Sequence, residues 1–393
     1  MNNTADKDTL TRRAFSGWKI FVAVAIGLGI TAWMFYRSFS ETHFIQVENG
    51  THAWVDGNGN GVVDHKDPAD FEASANGTYV LESVSHSLER MDWTSQSIWW
   101  FFGALIFTVG RDFFYMLRIR LLTKKVLSWR SSFYVIMLWE FASALSPGVV
   151  GGAAVAMFIL NRESIPFGKA TAIVIITAYM DNLFYVVMIP LVLLFVGQQN
   201  LVQVGEDSSV FLSWWFWVGF GVIATVCLFL YITIFWYPKM ATKILLFIFR
   251  LPFLKRWKFI AAEWGKDIET ASREFKLEKR PYWFKVFFAT FGSWLSGYLV
   301  INAVMNAFLN LGFLDNITIL GKQLILWLFM LVSPTPGGSG VAEYAFGELL
   351  ANFSQSALLL TALALIWRLI SYFPYLLIGS LLLPSWVKRT RPH

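Results

Sequence analysis

Ser333-Pro334-Thr335-Pro336-Gly337-Gly338-Ser339-Gly340-Val341-Ala342-Glu343 interrupts an apolar region running from 317 to 350, and its reading decides how the chain is built. Proline lacks an amide donor and glycine tolerates unusual dihedrals, so a helix cannot run unbroken through this stretch. A second apolar region, 131 to 160, is interrupted in the same way by Ser146-Pro147-Gly148-Val149-Val150-Gly151-Gly152-Ala153-Ala154-Val155-Ala156, which aligns with the first allowing one gap. A Leu-Trp pair precedes each break, Leu138-Trp139 and Leu326-Trp327, and a long apolar run follows each. On this reading neither half of either region reaches spanning length, and both are expected to be broken hairpins that dip into a membrane and return.

The surrounding sequence supplies that membrane. Of the 393 residues 56% are hydrophobic and only 15% charged, a balance outside the range of a water-soluble domain. The single cysteine, Cys227, excludes an intramolecular disulfide and any cysteine metal cluster. Crossing a hydrocarbon core takes about 20 apolar residues as a helix. Six runs qualify, at 18 to 36, 98 to 117, 170 to 196, 211 to 236, 284 to 310 and 357 to 383.

Charge gives the orientation. Lys7, Arg12, Arg13 and Lys19 flank the first run, which is expected to be a retained anchor with a cytoplasmic N-terminus. Segment 37 to 97 carries ten acids against Arg37, Lys66 and Arg90 and is placed outside, while 237 to 285 carries twelve Lys or Arg against five acids and is placed inside. Keeping Arg162 and Lys169 inside makes 131 to 160 dip from the cytoplasm; 317 to 350 then dips from outside, and both termini are cytoplasmic. Trp99, Trp100, Trp214, Trp215 and Trp217 would form an outer aromatic belt, and Trp129, Trp236, Trp283 and Trp386 an inner one.

The expected fold is therefore an all-α integral membrane protein, with six spanning helices and two re-entrant broken-helix hairpins in an inverted-topology repeat. Its units are a tail and anchor at 1–36, an external insert at 37–97, a first repeat at 98–196, a linking unit at 197–283, a second repeat at 284–383 and a tail at 384–393. Inverted repeats with broken helices at mid-membrane are a transporter architecture. Backbone groups freed at the breaks must be buried in protein or line a wet cavity. New helix N-termini there would offer amides and partial positive charge to an anion. The bland alternative is that Gly and Pro only permit close packing.

Asp181 lies 34 residues after Pro147, and Arg368 lies 34 residues after Pro334. Eleven or twelve residues into a span corresponds to a depth of roughly 17 Å at about 1.5 Å per residue. Charges at that depth call for partners, and these two are expected to pair with each other, as a structural tie between the repeats or as a substrate site. In the second case Arg368 would hold an anionic group and Asp181 would carry a proton. Glu140 and Glu343 sit in hairpin arms as translocation candidates or capping carboxylates. Arg111 and Asp112 are expected to snorkel at the inner end of their span.

The insert holds a calcium-loop pattern. Asp56, Asn58, Asn60, Asp64 and Asp67 recur at ligand positions, Val62 offers its carbonyl, and Gly61 supplies the sharp turn. The loop is similar to the EF-hand-like loops of dockerin modules, and structural calcium is the expected cofactor; the alternative is a solvated turn. His43, His52, His65 and His86 show no ligand spacing. Between 239 and 285, basic residues interleave with Phe247, Phe249, Phe253, Trp257, Phe259, Trp264 and Phe275, which suits a helix lying on an anionic leaflet.

Pro334-Thr335-Pro336-Gly337-Gly338-Ser339-Gly340-Val341-Ala342-Glu343 resembles the P-T-P-G-G-x-G-x-x-E motif of the transmembrane region of lysylphosphatidylglycerol synthases and their flippase-like relatives. The stretch from Arg368 through Tyr372 and Pro374 to Gly379 is similar to that family's closing R-x-x-x-Y-x-P-x-x-x-x-G pattern. The resemblance covers roughly 98 to 383. It implies movement of a phospholipid, often aminoacylated, between leaflets of a bacterial or archaeal plasma membrane, with functional candidacy for Glu343 and Arg368. The first repeat departs from relatives that show an N-x-x-P entry, having Ser143-Ala144-Leu145-Ser146-Pro147 instead. With about ten residues after the last span, no aminoacyl-transferring domain is expected to follow.

The leading expectation is a lipid translocase whose cleft is lined by Glu140, Pro147, Gly151, Gly152, Asp181, Pro334, Pro336, Gly337, Gly338, Glu343, Arg368 and Tyr372. Phospholipids are the expected partners, nucleic acid is not, and a homo-oligomer is left open. No G-x-x-x-x-G-K-[ST] nucleotide motif, H-E-x-x-H or membrane-depth Ser, His and Asp set is present, so an enzyme is not expected. A secondary transporter of a small anion or other solute, and a membrane scaffold of an envelope-lipid enzyme, remain as alternatives.

Overall fold

The computed structural model describes residues 44–57, 59, 61, 63–65, 67–81, 93–146, 148–202, 210–248, 258–333, 335–354, 356–390 and isolated helical positions of the first apolar run. The expected anchor at 18 to 36 otherwise lies outside the described residues, as do Asn58, Asn60, Val62, Pro147 and Pro334 and the surroundings of Gly151.

The chain is a multi-pass membrane protein. The insert opens it with a hairpin, β1 (Phe44–Trp54) and β2 (Phe71–Leu81). The helices that follow are α1 (Ser95–Leu122), α2 (Trp129–Leu145), α3 (Gly148–Arg162), α4 (Phe167–Val196), α5 (Val210–Tyr231), α6 (Pro238–Ile248) and α7 (Lys258–Lys276). They continue with α8 (Arg280–Asn306), α9 (Phe313–Val332), α10 (Val341–Leu350), α11 (Ala357–Ser371) and α12 (Phe373–Arg389). Among the described residues six segments are long and apolar enough to cross a membrane: Ser95–Leu122, Phe167–Val196, Phe216–Trp236, Arg280–Asn306, Phe313–Met330 and Ala357–Arg389.

Five of these match expected spans; the sixth, within α9, was expected to be a short hairpin arm. Gly312 and Asp315 start α9 four residues before the expected edge: the Asp315 carboxylate accepts from the Gly312 amide at 2.8 Å. The helix then runs on to Val332, and its 20 residues rise about 30 Å, enough to cross alone. The expectation that neither arm of this region spans is thus corrected. In the first region α2 and α3, of 17 and 15 residues, are both shorter than a span.

Both breaks have the same local cause. Ser146 (φ −97°, ψ 139°) and Ser333 (φ −63°, ψ 128°) end their helices in extended backbone, as residues before proline do. The last expected span is broken as well. Pro374 cannot donate to the carbonyl four residues back, and the chain turns at Tyr372 (φ −126°, ψ −57°) between α11 and α12. Along the chain, α3 and α4 follow the first break, and α10 and α11 follow the second.

Packing gathers these helices around two cores. One joins α2, α3 and the first half of α4 to α12 through Phe141, Ile173, Tyr375 and Trp386. The other joins the second half of α4 to α8, α9, α10 and α11 through Phe184, Val304, Phe346 and Leu363. Trp386 is fully buried and its indole donates to Glu163 at 2.8 Å, so it belongs to the core and not to an aromatic belt. Gly292 lets α8 close on α1, since an added methyl would fall 2.7 Å from the Phe114 ring.

In the basic segment two helices are described. α6 and α7 pack against each other, the Thr242 hydroxyl donating to Glu269 at 2.9 Å, and α7 also packs on α4. Ala271 and Phe275 of α7 join the first core, and Lys169 reaches Glu274 at 3.2 Å. A helix this amphipathic can serve protein as readily as lipid, and here its apolar face is docked on the bundle.

In the insert, β1 and β2 pair antiparallel from Phe44 opposite Leu81 to Trp54 opposite Phe71, with irregular register between. Gly50 pairs with Gly77 there, where a side chain on either would collide with the facing backbone. The ribbon curls until its open end meets its own loop: the Phe44 amide donates to the His65 carbonyl at 2.8 Å, and Phe44 stacks on Phe71 at 4.2 Å.

Candidate functional site

A cavity of about 510 Å³ lies between the cores, walled by α1, α2, α4, α8, α9, α11 and the two breaks. Its lining mixes apolar surface with Arg111, Glu140, Asp181 and Arg368, and both Gly337 and Ser146 reach it. The geometry of its charges follows from how each helix ends or turns.

At the second break, Gly337, Gly338 and Gly340 have φ of 57°, 68° and 85°, a left-handed run that glycine alone adopts cheaply. The loop so formed wraps the Arg368 guanidinium. Nε donates to Glu343 at 2.9 Å, and Nη2 donates to the Gly337 carbonyl and the Ser339 hydroxyl, both at 3.1 Å. The other Glu343 oxygen accepts from the Gly340 amide at 2.5 Å, so this carboxylate caps α10. Glu343 and Arg368 are 4% and 3% exposed, so the pair is sealed from solvent. The anion-binding helix terminus expected here is filled by the protein's own side chain.

Asp181 does not pair with Arg368. It pairs with Arg118 on α1 and accepts from the Trp294 indole at 2.8 Å. The expected bridge between repeat-related charges is therefore replaced by two separate pairs facing one cavity. The cause is the length of α1, which runs five residues past the expected end of its span and carries Arg118 into the bundle, where it is 6% exposed.

Arg111 does not snorkel either. Its Nη2 donates to Glu140 at 2.6 Å and its Nη1 to the Tyr375 hydroxyl at 3.0 Å. That hydroxyl donates in turn to Asp112 at 2.7 Å. Glu140 is thus an ion-pair partner, not a cap. Arg111, Tyr115 and Arg118 share one face of α1 at helical spacing, and both guanidinium groups lie over the Tyr115 ring. That spacing was present in the sequence, and it is the signal that points to Arg111 and Arg118.

Of the charges that line the cavity, Arg111 pairs with Glu140, Asp181 with Arg118 behind it, and Arg368 with Glu343. Among the described residues, Thr177 Oγ1 and Gln323 Oε1 are buried in the cavity wall without a partner, and both are neutral. Gly152 on α3 presses on Ser143 of α2 with no room for a methyl, drawing the arms of the first hairpin together. Pro336 sits inside the second loop, where its carbonyl accepts from the Ser339 amide at 3.1 Å. Tyr372 lies under Gly337, with the Arg368 guanidinium carbon 3.9 Å from its ring centre.

In the insert, Asp56 Oδ2 accepts from the Gly61 amide at 3.1 Å, joining the first and sixth loop positions. Asp64 is exposed, and Asp67 caps the short helical turn Pro68–Asp70 by accepting from the Ala69 amide at 2.9 Å. Among the described residues no three His, Cys, Asp or Glu side chains converge as a metal site.

Two comparisons with known proteins give a match. A family model described as the lysylphosphatidylglycerol synthase TM region matches residues 78–379. A UPF0104 membrane protein of Archaeoglobus fulgidus is 25% identical over 295 residues, covering 71% of this chain and 84% of that protein. No solved structure matches.

Proposed function

Because the chain belongs to the lysylphosphatidylglycerol synthase transmembrane-region family, whose model covers residues 78–379, we propose that it is a lipid translocase that passes a phospholipid headgroup between leaflets. The observation that carries this reading is the 510 Å³ cavity set among membrane-length helices and walled by both helix breaks. A headgroup entering it would leave water for a wall of fixed dipoles and ion pairs, while its acyl chains stay among the apolar helix faces.

The wall favours a headgroup carrying both signs. The lining Arg111 and Arg368 are already paired with Glu140 and Glu343, so a bare anion meets no uncommitted cation, whereas an aminoacylated or other amine-bearing phosphate can exchange partners at both ends. The same pairing argues against transport of a small anion. Movement through such a cavity would be passive or coupled to a carboxylate proton, and its setting would be a plasma membrane with both termini cytoplasmic, as the charge distribution suggests.

The test is reconstitution into liposomes holding trace fluorescent lysylphosphatidylglycerol, phosphatidylethanolamine or phosphatidylglycerol, with outer-leaflet quenching as the readout. Faster loss of protected signal for the amine-bearing lipids is expected. Rates equal to protein-free vesicles for all three lipids would overturn the proposal.

A further inference from the structure

We propose that the external hairpin holds a hard divalent cation of the calcium class between Asp56 and Asp70. Nothing in the membrane-embedded site bears on this, and it stands whether or not the chain moves lipid.

Asp70 has no exposed surface, yet its Oδ1 has no hydrogen-bond partner among the described residues. Its other oxygen accepts from the Asp64 amide at 3.3 Å, which turns the carboxylate back into the loop. Asp56 has the same deficiency. Oδ2 is occupied by the Gly61 amide, and Oδ1 is buried without a partner. The two residues belong to facing sides of one narrow loop. The Val55 amide donates to the Asp70 carbonyl at 2.9 Å, and Gly57 lies so close to Ala69 that a side chain there would overlap its backbone.

Two carboxylate oxygens left bare inside a loop of this size are costly, because each has given up water without gaining a donor. No Lys, Arg or His among the described residues pairs with either carboxylate. The loop is also shaped at some expense: Asp56 takes φ 47°, uncommon outside glycine even though Asp and Asn visit it more readily than other side chains, and Gly59 and Gly61 follow at 73° and 71°. A cation of the calcium class answers both costs, since it takes oxygen ligands in irregular geometry and accepts water and main-chain carbonyls for the remainder. Asp70 is the new element. The sequence template ends at Asp67, whose Oδ1 caps the turn by accepting from the Ala69 amide, and that turn carries the next acid inward.

The experiment uses the whole chain in detergent, stripped of metal with a chelator, and terbium(III) as the probe. Trp54, which ends β1 two residues before Asp56, can sensitise terbium emission under indole excitation. Wild type should show saturable emission that calcium displaces, and Asp70→Asn and Asp56→Asn should each weaken terbium binding about tenfold or more. In native membranes, calcium should slow proteolysis between β1 and β2 in wild type but not in Asp56→Asn, the less buried of the two sites. Emission that calcium does not displace, or that both asparagine variants retain at wild-type affinity, would overturn the assignment, as would calcium-independent cleavage of the wild-type loop.

Discussion

The Tyr372 hydroxyl donates to the Ala144 carbonyl at 3.2 Å, joining the turn between α11 and α12 to the last turn of α2 before the first break. The Tyr372 ring meanwhile lies under Gly337 of the second break. One side chain thus ties both helix breaks together, and it does so at the rim of the cavity.

Tyr372→Phe keeps the ring and removes that bond. Leaving the buried carbonyl unpaired should cost about 1–3 kcal/mol in detergent unfolding. Lipid flip should change as well, because the two breaks are no longer held in register. Unfolding and flip both equal to wild type would show that the breaks do not communicate through this bond.

Arg368→Ala and Glu343→Gln should each be strongly destabilising, by roughly 3–5 kcal/mol, since each strands a buried partner. The double variant should be less damaged than the sum of the two. A double-mutant cycle by thermal unfolding checks this, and strict additivity would mean that the 2.9 Å pair contributes no coupling.

Glycine to alanine should change sign within ten residues of chain. At Gly337 the φ of 57° and the Tyr372 ring both oppose a methyl, and destabilisation of at least about 1 kcal/mol is expected. Gly347, inside α10, has open space where its Cβ would stand, so alanine there should gain up to about 1 kcal/mol in helix propensity. Melting temperatures of the two variants measured side by side settle the contrast.

Thr177→Val replaces a buried hydroxyl that has no partner among the described residues with a methyl of similar shape. Stability should hold or rise, because a polar group without a bond is removed. Flip should slow if that hydroxyl serves a passing headgroup. An unchanged rate would remove Thr177 from the translocation path.

Much of the bundle was legible from hydropathy. A charge-poor apolar run of about 20 residues admits few structures other than a spanning helix, and the Ser-Pro breaks at 146 and 333 follow from local stereochemistry. The glycine run at 337, 338 and 340 was legible for the same reason. The partners of the charges were not. Asp181 and Arg368 are matched in sequence position, but pairing needs two side chains on facing surfaces, and Arg118 and Glu343 occupy those surfaces. The strands of the insert were also missed, since Gly50 and Gly77 interrupt the alternation that marks a hairpin.

What the sequence determined by itself is local: where helices run, where they break, and that charges lie at depth, since each depends on a few neighbouring residues and on the cost of exposing backbone to lipid. Only the tertiary structure decided which charge meets which, that every charge lining the cavity is already paired, and that Asp70 is carried inward beyond Asp67. Those outcomes depend on helix rotation and on contacts between residues far apart in the chain, and no short-range pattern records them.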